Sequence, residues 1–300
     1  MGLASASSTP FFFACPIGHT DDTPAGGAPI RAIDIHVHVP RQPGLPEVAI
    51  ESYLRRYFKM PDPPRDYHEM AAVYRQLDIM GVIFSVDTQV TTNEPPDSND
   101  YVAEIVRTYP EQFIGFATVD PWKGKMAVDE VERAVVELGL KGLKLHPVHQ
   151  AFFPNDQRFY PLYQKCSDLG IPILFHSGYS AAGTGMPGGG GLKLKYSQPI
   201  PYFDDVAADF PNLTIIMAHP GWPWVDQQIA VALHKPNVYI DLSGWSPKYI
   251  PEALIRDANN RLRDKVLFGS DYPYLPPERW LREFEALPIR EEVRPKILLE

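Results

Sequence analysis

Two cysteines, Cys15 and Cys166, are all that the 300 residues contain. Two are too few for a disulfide framework, so a reducing compartment, the cytoplasm, is the expected location. Long hydrophobic runs are missing too: no stretch approaches the ~20 apolar residues of a bilayer-spanning helix, so an integral membrane protein is excluded and no membrane partner is expected. Basic charge is in deficit. The 28 Lys and Arg face 37 Asp and Glu, a net of −9, the wrong sign for a nucleic-acid partner. The start of the chain lacks the basic and apolar regions of a signal peptide and has only the clot Phe11-Phe12-Phe13-Ala14, so residues 1–29 read as an N-terminal arm. Proline, in contrast, is abundant: its 32 residues are about double the usual ~5% and punctuate the hydrophobic runs.

From Arg31 onward, short β-branched runs alternate with amphipathic stretches. The runs are Ala32–Val37, Val82–Val86, Phe113–Thr118, Gly142–His146, Pro172–His176, Thr214–Ala218, Val238–Leu242 and Val266–Gly269. Helical periodicity lies between them, as in Tyr67–Met80 and Val128–Leu138. Eight alternations over residues 30–300 predict an α/β fold of one domain, a (β/α)8 TIM barrel, with a doubly wound open sheet as the structural alternative. Two connections are long, 38–66 and 177–199, and both follow strands at the end where barrel enzymes build their sites. The second contains the glycine run 183–191. That run lacks the Lys-Ser/Thr of a phosphate-binding loop and reads as a rim or lid.

Histidine placement carries the chemistry. Of nine histidines, five lie at the ends of these runs: His36, His38, His146, His176 and His219. His36 and His38 share a strand face ~6.6 Å apart at Cα, so both imidazoles reach one ion. Asp34 has the same parity and is expected to buttress a ligand. Asp271 ends the last run, where an unpaired carboxylate is costly to bury. A lone histidine is more often a hydrogen-bonded core residue, but the joint pattern points to a divalent metal. His149, His68, His234 and His19 read as ordinary surface or loop residues.

This order and spacing resembles the amidohydrolase superfamily, in the branch containing aminocarboxymuconate semialdehyde decarboxylase. The resemblance covers Ile33 to the C-terminus and is carried most closely by Ala218-His-Pro-Gly221 and Phe268-Gly-Ser-Asp-Tyr-Pro273. The chain stops at Leu298-Leu-Glu300, short of where such relatives end their last helix. The resemblance implies that His36, His38, His176 and Asp271 bind one divalent ion, zinc first and manganese as the alternative. It also implies catalytic roles for His219, as acid/base, and for Asp271. Lys144 has three readings: a carboxylated bridge between two metals, a substrate-carboxylate anchor, or a partner for an acid inside the barrel. His146 is expected to line the pocket.

The expected partner is a small aromatic substrate, with a homo-oligomer left open. Its contacts are expected from Lys144, His146, Arg41, Phe152, Trp222, Trp245 and Tyr272. Lys141-Gly-Leu-Lys-Leu-His-Pro147, Gln150-Ala-Phe-Phe-Pro-Asn-Asp156 and Pro199-Ile-Pro-Tyr-Phe-Asp-Asp205 resemble the 4-hydroxyphenyl-β-ketoacyl-CoA hydrolases. The first expectation is therefore a metal-dependent hydrolase that uses activated water on a carbonyl and splits the C–C bond of an aryl β-ketoacyl substrate. The alternative is a metal-dependent non-oxidative decarboxylase of an aromatic or unsaturated carboxylic acid. A non-catalytic binding barrel is the third reading, and fold alone does not decide among them.

Overall fold

Short parallel strands follow one another along the computed structural model, which describes residues 29–60 and 62–300. The expected N-terminal arm lies outside the described residues, except for Pro29. The strands are β1 (Ala32–His38), β2 (Ile79–Phe84), β3 (Phe113–Gly115), β4 (Ala117–Thr118), β5 (Leu143–Leu145), β6 (Ile173–His176), β7 (Ile215–Ala218), β8 (Val238–Asp241) and β9 (Val266–Leu267). They form two parallel sheets in sequential order, β1-β2-β3 and β4 through β9.

The expected run Phe113–Thr118 is split at Phe116, whose N–H bonds the Ile83 carbonyl at 2.9 Å while the Ala117 N–H bonds Gly142 at 2.7 Å. One stretch of chain thus serves both sheets. The other seam joins β1 to the segment after β9. There the Ile35 N–H bonds Phe268 O (3.0 Å), Asp271 N–H bonds His36 O (2.9 Å) and His38 N–H bonds Tyr272 O (2.8 Å). Counting β3 and β4 as one position gives the eight-fold parallel α/β barrel that the alternation predicts.

Two apolar layers hold it. Val82, Phe84, Phe116, Leu174, Ile216 and Ala218 form a small inner cluster. The larger outer cluster packs strand residues such as Ile173 and Ile215 against helix residues such as Val131 and Tyr163. Each fully buried Val, Leu, Ile or Phe contributes about 1.5–3 kcal/mol. The helix expected at Tyr67–Met80 is shorter, Tyr67–Gln76, with Asp66 accepting from the His68 and Glu69 N–H groups at its start. Ile79 and Met80 belong to β2, because their backbone is taken up by parallel pairing with Ala32 and Ile33 of β1.

Candidate active site

The site begins with an irregularity in β1. Asp34 pairs with Gly81 and Val37 with Ile83, so three steps on β1 oppose two on β2. This bulge changes the side-chain parity. Ile33 and Ile35 pack on the inner cluster, Val37 packs on the outer one, and His36 and His38 both line the central cavity. Asp34 is therefore not on the histidines' face, as strict alternation requires. It accepts from Tyr74 OH (2.9 Å), Ser270 N–H (2.8 Å) and the Ser270 hydroxyl, and from His36 N–H (3.2 Å). It supports the site through backbone, clamping β1 beside the segment that carries Asp271. Burial raises its carboxyl to about 7, against the hydrogen bonds from Ser270 and Tyr74.

His36 Nε2 and His38 Nε2 lie 3.3 and 3.1 Å from Asp271 Oδ1, and the ligand atoms of these three residues all fall within 4.8 Å of one another. His176 is outside that tight group. Its position is set by a chain of hydrogen bonds. The Ser243 carbonyl, 3.0 Å from His219 Nδ1, can only accept, so His219 carries its proton on Nδ1. His219 Nε2 then accepts from His176 Nδ1–H at 3.0 Å. His176 Nε2 is left as a bare lone pair, buried and without a hydrogen-bond partner.

A buried acceptor atom with no partner calls for one. His36 differs in one respect: Nδ1–H donates to Asp241 Oδ2 at 3.0 Å, which leaves Nε2 as a lone pair near Asp271, and the Lys144 ammonium donates to it at 3.1 Å. These acceptors fit a divalent cation. His219 and Asp271 both have a left-handed backbone, φ 68° and 71°, strain that a non-glycine residue tolerates when the surroundings fix it.

The electrostatics suit ligation. Burial depresses His36 to about 3, helped by Lys144. It also pushes His146, His176 and His219 down, so these rings are neutral near pH 7. Burial alone would raise Asp241 and Asp271, but the neighbouring histidines together outweigh it, His36 foremost, with hydrogen bonds to His36 and His38 respectively, and hold both well below the usual carboxylate range. Lys144 is fully buried on β5, with Nζ 3.1 Å from His36 Nε2 and 4.7 Å from the centre of the Phe84 ring. Burial lowers its ammonium to about 8, against Asp241 and Asp271.

A cavity of about 1030 Å³ opens over these groups, with Lys144, His146, His149, Trp245 and Tyr274 among its walls. Several expected substrate contacts are elsewhere. Phe152 is buried in the outer core against Phe159. Trp222 is 48% exposed and packs behind the lining residues Tyr179 and Trp245 without lining the cavity itself. Tyr272 packs on Tyr74, and its neighbour Tyr274 faces the cavity instead. Arg41 reaches the wall, but its guanidinium is spent on Pro46 O, Pro95 O and Asp97.

Sequence reasoning passed over Asp241, Ser243 and His149. Asp241 ends an apolar strand just as Asp271 follows one, which is the signal that could have found it. His149 is not an ordinary surface residue: it stacks on His146 with ring centres 3.8 Å apart. In the glycine run, Gly188, Gly189 and Gly190 take left-handed turns, and the flanking Ala181, Ala182 and Leu192 line the cavity.

A parallel barrel with a buried His/Asp cluster at its strand ends defines a metal-dependent barrel enzyme. More particularly, residues 33–300 match the Amidohydrolase family, and the chain belongs to it. A 2-amino-3-carboxymuconate-6-semialdehyde decarboxylase from Dictyostelium discoideum is 24% identical over 201 residues, 59% of this chain and 55% of that protein. A 2-keto-4-carboxy-3-hexenedioate hydratase from Sphingobium is 31% identical over 136 residues, 41% of this chain and 39% of that one. The chain thus spans about half or less of these two relatives. A gamma-resorcylate decarboxylase from Polaromonas is 22% identical over 269 residues, covering 77% of this chain and 82% of that protein.

Among solved structures, an uncharacterized TIM-barrel protein from Bordetella bronchiseptica matches with TM-score 0.73 and 26% identity over 89% of this chain and 95% of that one. A 5-carboxyvanillate decarboxylase from Novosphingobium aromaticivorans, complexed with manganese and a nitrobenzoic acid, shares the fold at TM-score 0.60 and 18% identity, covering 94% and 98%. No helix among the described residues is long and apolar enough to cross a membrane.

Proposed function

We propose that this enzyme is a metal-dependent non-oxidative decarboxylase of an aromatic or unsaturated carboxylic acid. The observation that carries the reading is the Lys144 ammonium, buried at the cavity floor 3.1 Å from His36 Nε2. Two ionised carboxylates against one ammonium leave the floor at −1, and a divalent ion brings it to +1, a site for an organic anion. Two of the curated relatives reported above are decarboxylases, which supports this reading over the hydrolase expected from the local phrases. Addition of water has one specific observation behind it, the 31% identity to a hydratase, and stands as the second reading.

His36, His38, His176 and Asp271 would hold the ion. Three imidazoles and one carboxylate favour zinc over manganese, which prefers oxygen-rich sites. Such an ion, when bound, supplies Lewis acidity toward a substrate oxygen. Lys144 binds the substrate carboxylate, and the aromatic walls Trp245 and Tyr274 flank the ring. His219 Nε2, once it has taken up a proton from solvent, delivers it to the ring carbon that bears the carboxylate, while Nδ1–H stays on the Ser243 carbonyl. The C–H bond forms, the C–C bond to the carboxylate breaks, its electron pair restores the ring, and CO2 leaves. One nitrogen cannot both accept from His176 and carry that proton, so the His176–His219 hydrogen bond opens for the transfer. The test is a panel of aryl carboxylates, muconate-type acids, esters and β-ketoacyl thioesters with products identified by mass. CO2 from the carboxylates supports the proposal, and turnover of the thioesters alone overturns it.

A further inference from the structure

The turn after β5 is built around one residue whose working atom has no partner. His146 N–H bonds Gln150 Oε1 at 2.8 Å, and the Gln150 amide bonds the Asp87 and Val119 carbonyls at 2.8 Å each, which pins the turn. The His146 ring is held on both faces, with centres 3.8 Å from His149 at 20° and 3.9 Å from His176 at 10°. Its Nδ1 accepts from His149 N–H at 3.4 Å, so its proton resides on Nε2. The residue is 7% exposed and lines the cavity. Among the described residues Nε2 has no hydrogen-bond partner, yet it is not among the atoms sealed from solvent. With both ring faces covered and Nδ1 occupied, the N–H edge is what His146 offers to a bound molecule.

We propose that His146 is a substrate-binding residue whose Nε2–H holds one carboxylate oxygen of the substrate. Lys144 and His146 are two apart on one stretch of chain and both line the cavity, so this stretch offers it an ammonium and an N–H donor. An oxyanion complements that pair, and an N–H bond to an ionised oxygen is among the stronger hydrogen bonds. The stack fixes the donor's direction, so the contact selects for a carboxylate in one orientation rather than for any anion. Under the decarboxylase reading, on which this inference rests for the identity of the anion, that orientation sets the scissile bond relative to the ring.

The test is calorimetric binding of benzoate to the metal-loaded enzyme and to its His146→Phe and His146→Gln variants, with metal content measured in each. Phe keeps the stack and removes the donor, whereas Gln restores an N–H near the position of Nε2. Benzoate is expected to bind about 10–100-fold more weakly to His146→Phe and to recover most of that in His146→Gln, with metal content unchanged. Equal affinity in His146→Phe and the parent enzyme overturns the proposal. So does loss of metal from both variants, which would make His146 a support for His176. Absence of CO2 release by the unsubstituted enzyme would count against the decarboxylase reading, whereas benzoate affinity reports on His146 itself.

Discussion

His219 Nε2 lies 3.0 Å from His176 Nδ1, and the hydrogen bond runs from His176 to His219 because the Ser243 carbonyl keeps the His219 proton on the far nitrogen. The same bond that leaves His176 Nε2 free for a cation therefore makes His219 a base at rest. Two residues alike in the sequence, each a histidine closing an apolar strand, end with different nitrogens free because of one backbone carbonyl.

Metal content separates those roles. His176→Ala and Asp271→Asn should each lose most bound metal, since each removes one of four donors, and elemental analysis of the purified proteins checks it. Full retention in both would remove these residues from the ligand set.

His219→Asn should keep its metal and lose activity by about 10²–10⁴-fold, the usual scale of general acid/base catalysis. Steady-state kinetics with parallel metal analysis reads both. Near-normal turnover would make His219 structural, and metal loss would make it a ligand.

Asp241 accepts from His36 Nδ1, from the backbone N–H groups of His219 (3.1 Å) and Ser243 (2.8 Å), and from the Ser243 hydroxyl. It thus orients a proposed ligand and the proposed proton carrier together. Asp241→Asn should weaken metal affinity by about 10–100-fold, the usual cost of losing such a support. A competition titration against a chelator measures it, and an unchanged constant would contradict the role.

Gly244 has φ +72°, and a Cβ there would lie 2.7 Å from His219 Nδ1. Gly244→Ala should cost about 1–2 kcal/mol of stability from the backbone alone and should lower kcat more than it raises KM. A urea midpoint and a kinetic comparison check the two halves. A fully active Ala variant would show that the His219 ring has freedom this packing denies it.

Burial lowers His149 from 6.5 to about 4, aided by His38 and Lys144. Below 6.5 the unfolded chain binds this proton and the folded one does not, so the stabilisation present above 6.5 is lost as pH falls toward 4. The urea midpoint should therefore be lower at pH 5 than at pH 7.5, and His149→Gln should reduce the difference. An identical pH slope in that variant would contradict the assignment.

The barrel was legible because its strands are short apolar runs bounded by proline and glycine, and the histidines were legible because they end those runs. What the sequence hid was direction. Period-two alternation puts Asp34 on the face of His36, and only the bulge in β1 reveals that Asp34 works from the other side. Tyr272 and Tyr274 have similar claims to the cavity until the turn after Asp271 sends one inward to Tyr74 and the other to the wall. Asp241 was hidden inside the Val238–Leu242 run. His149 was hidden because a turn, not a strand, folds it back over His146.

The most direct measurement is the fate of the carboxyl carbon and of the solvent proton in one reaction. The metal-loaded enzyme is given carboxyl-¹³C-labelled aryl acids in D2O, with the products followed by mass spectrometry and NMR. The account predicts ¹³CO2 release with one deuterium at the vacated ring carbon, and loss of both signals in His219→Asn. Retention of the ¹³C carboxyl in products that have gained solvent oxygen would contradict it and establish water-activating chemistry instead.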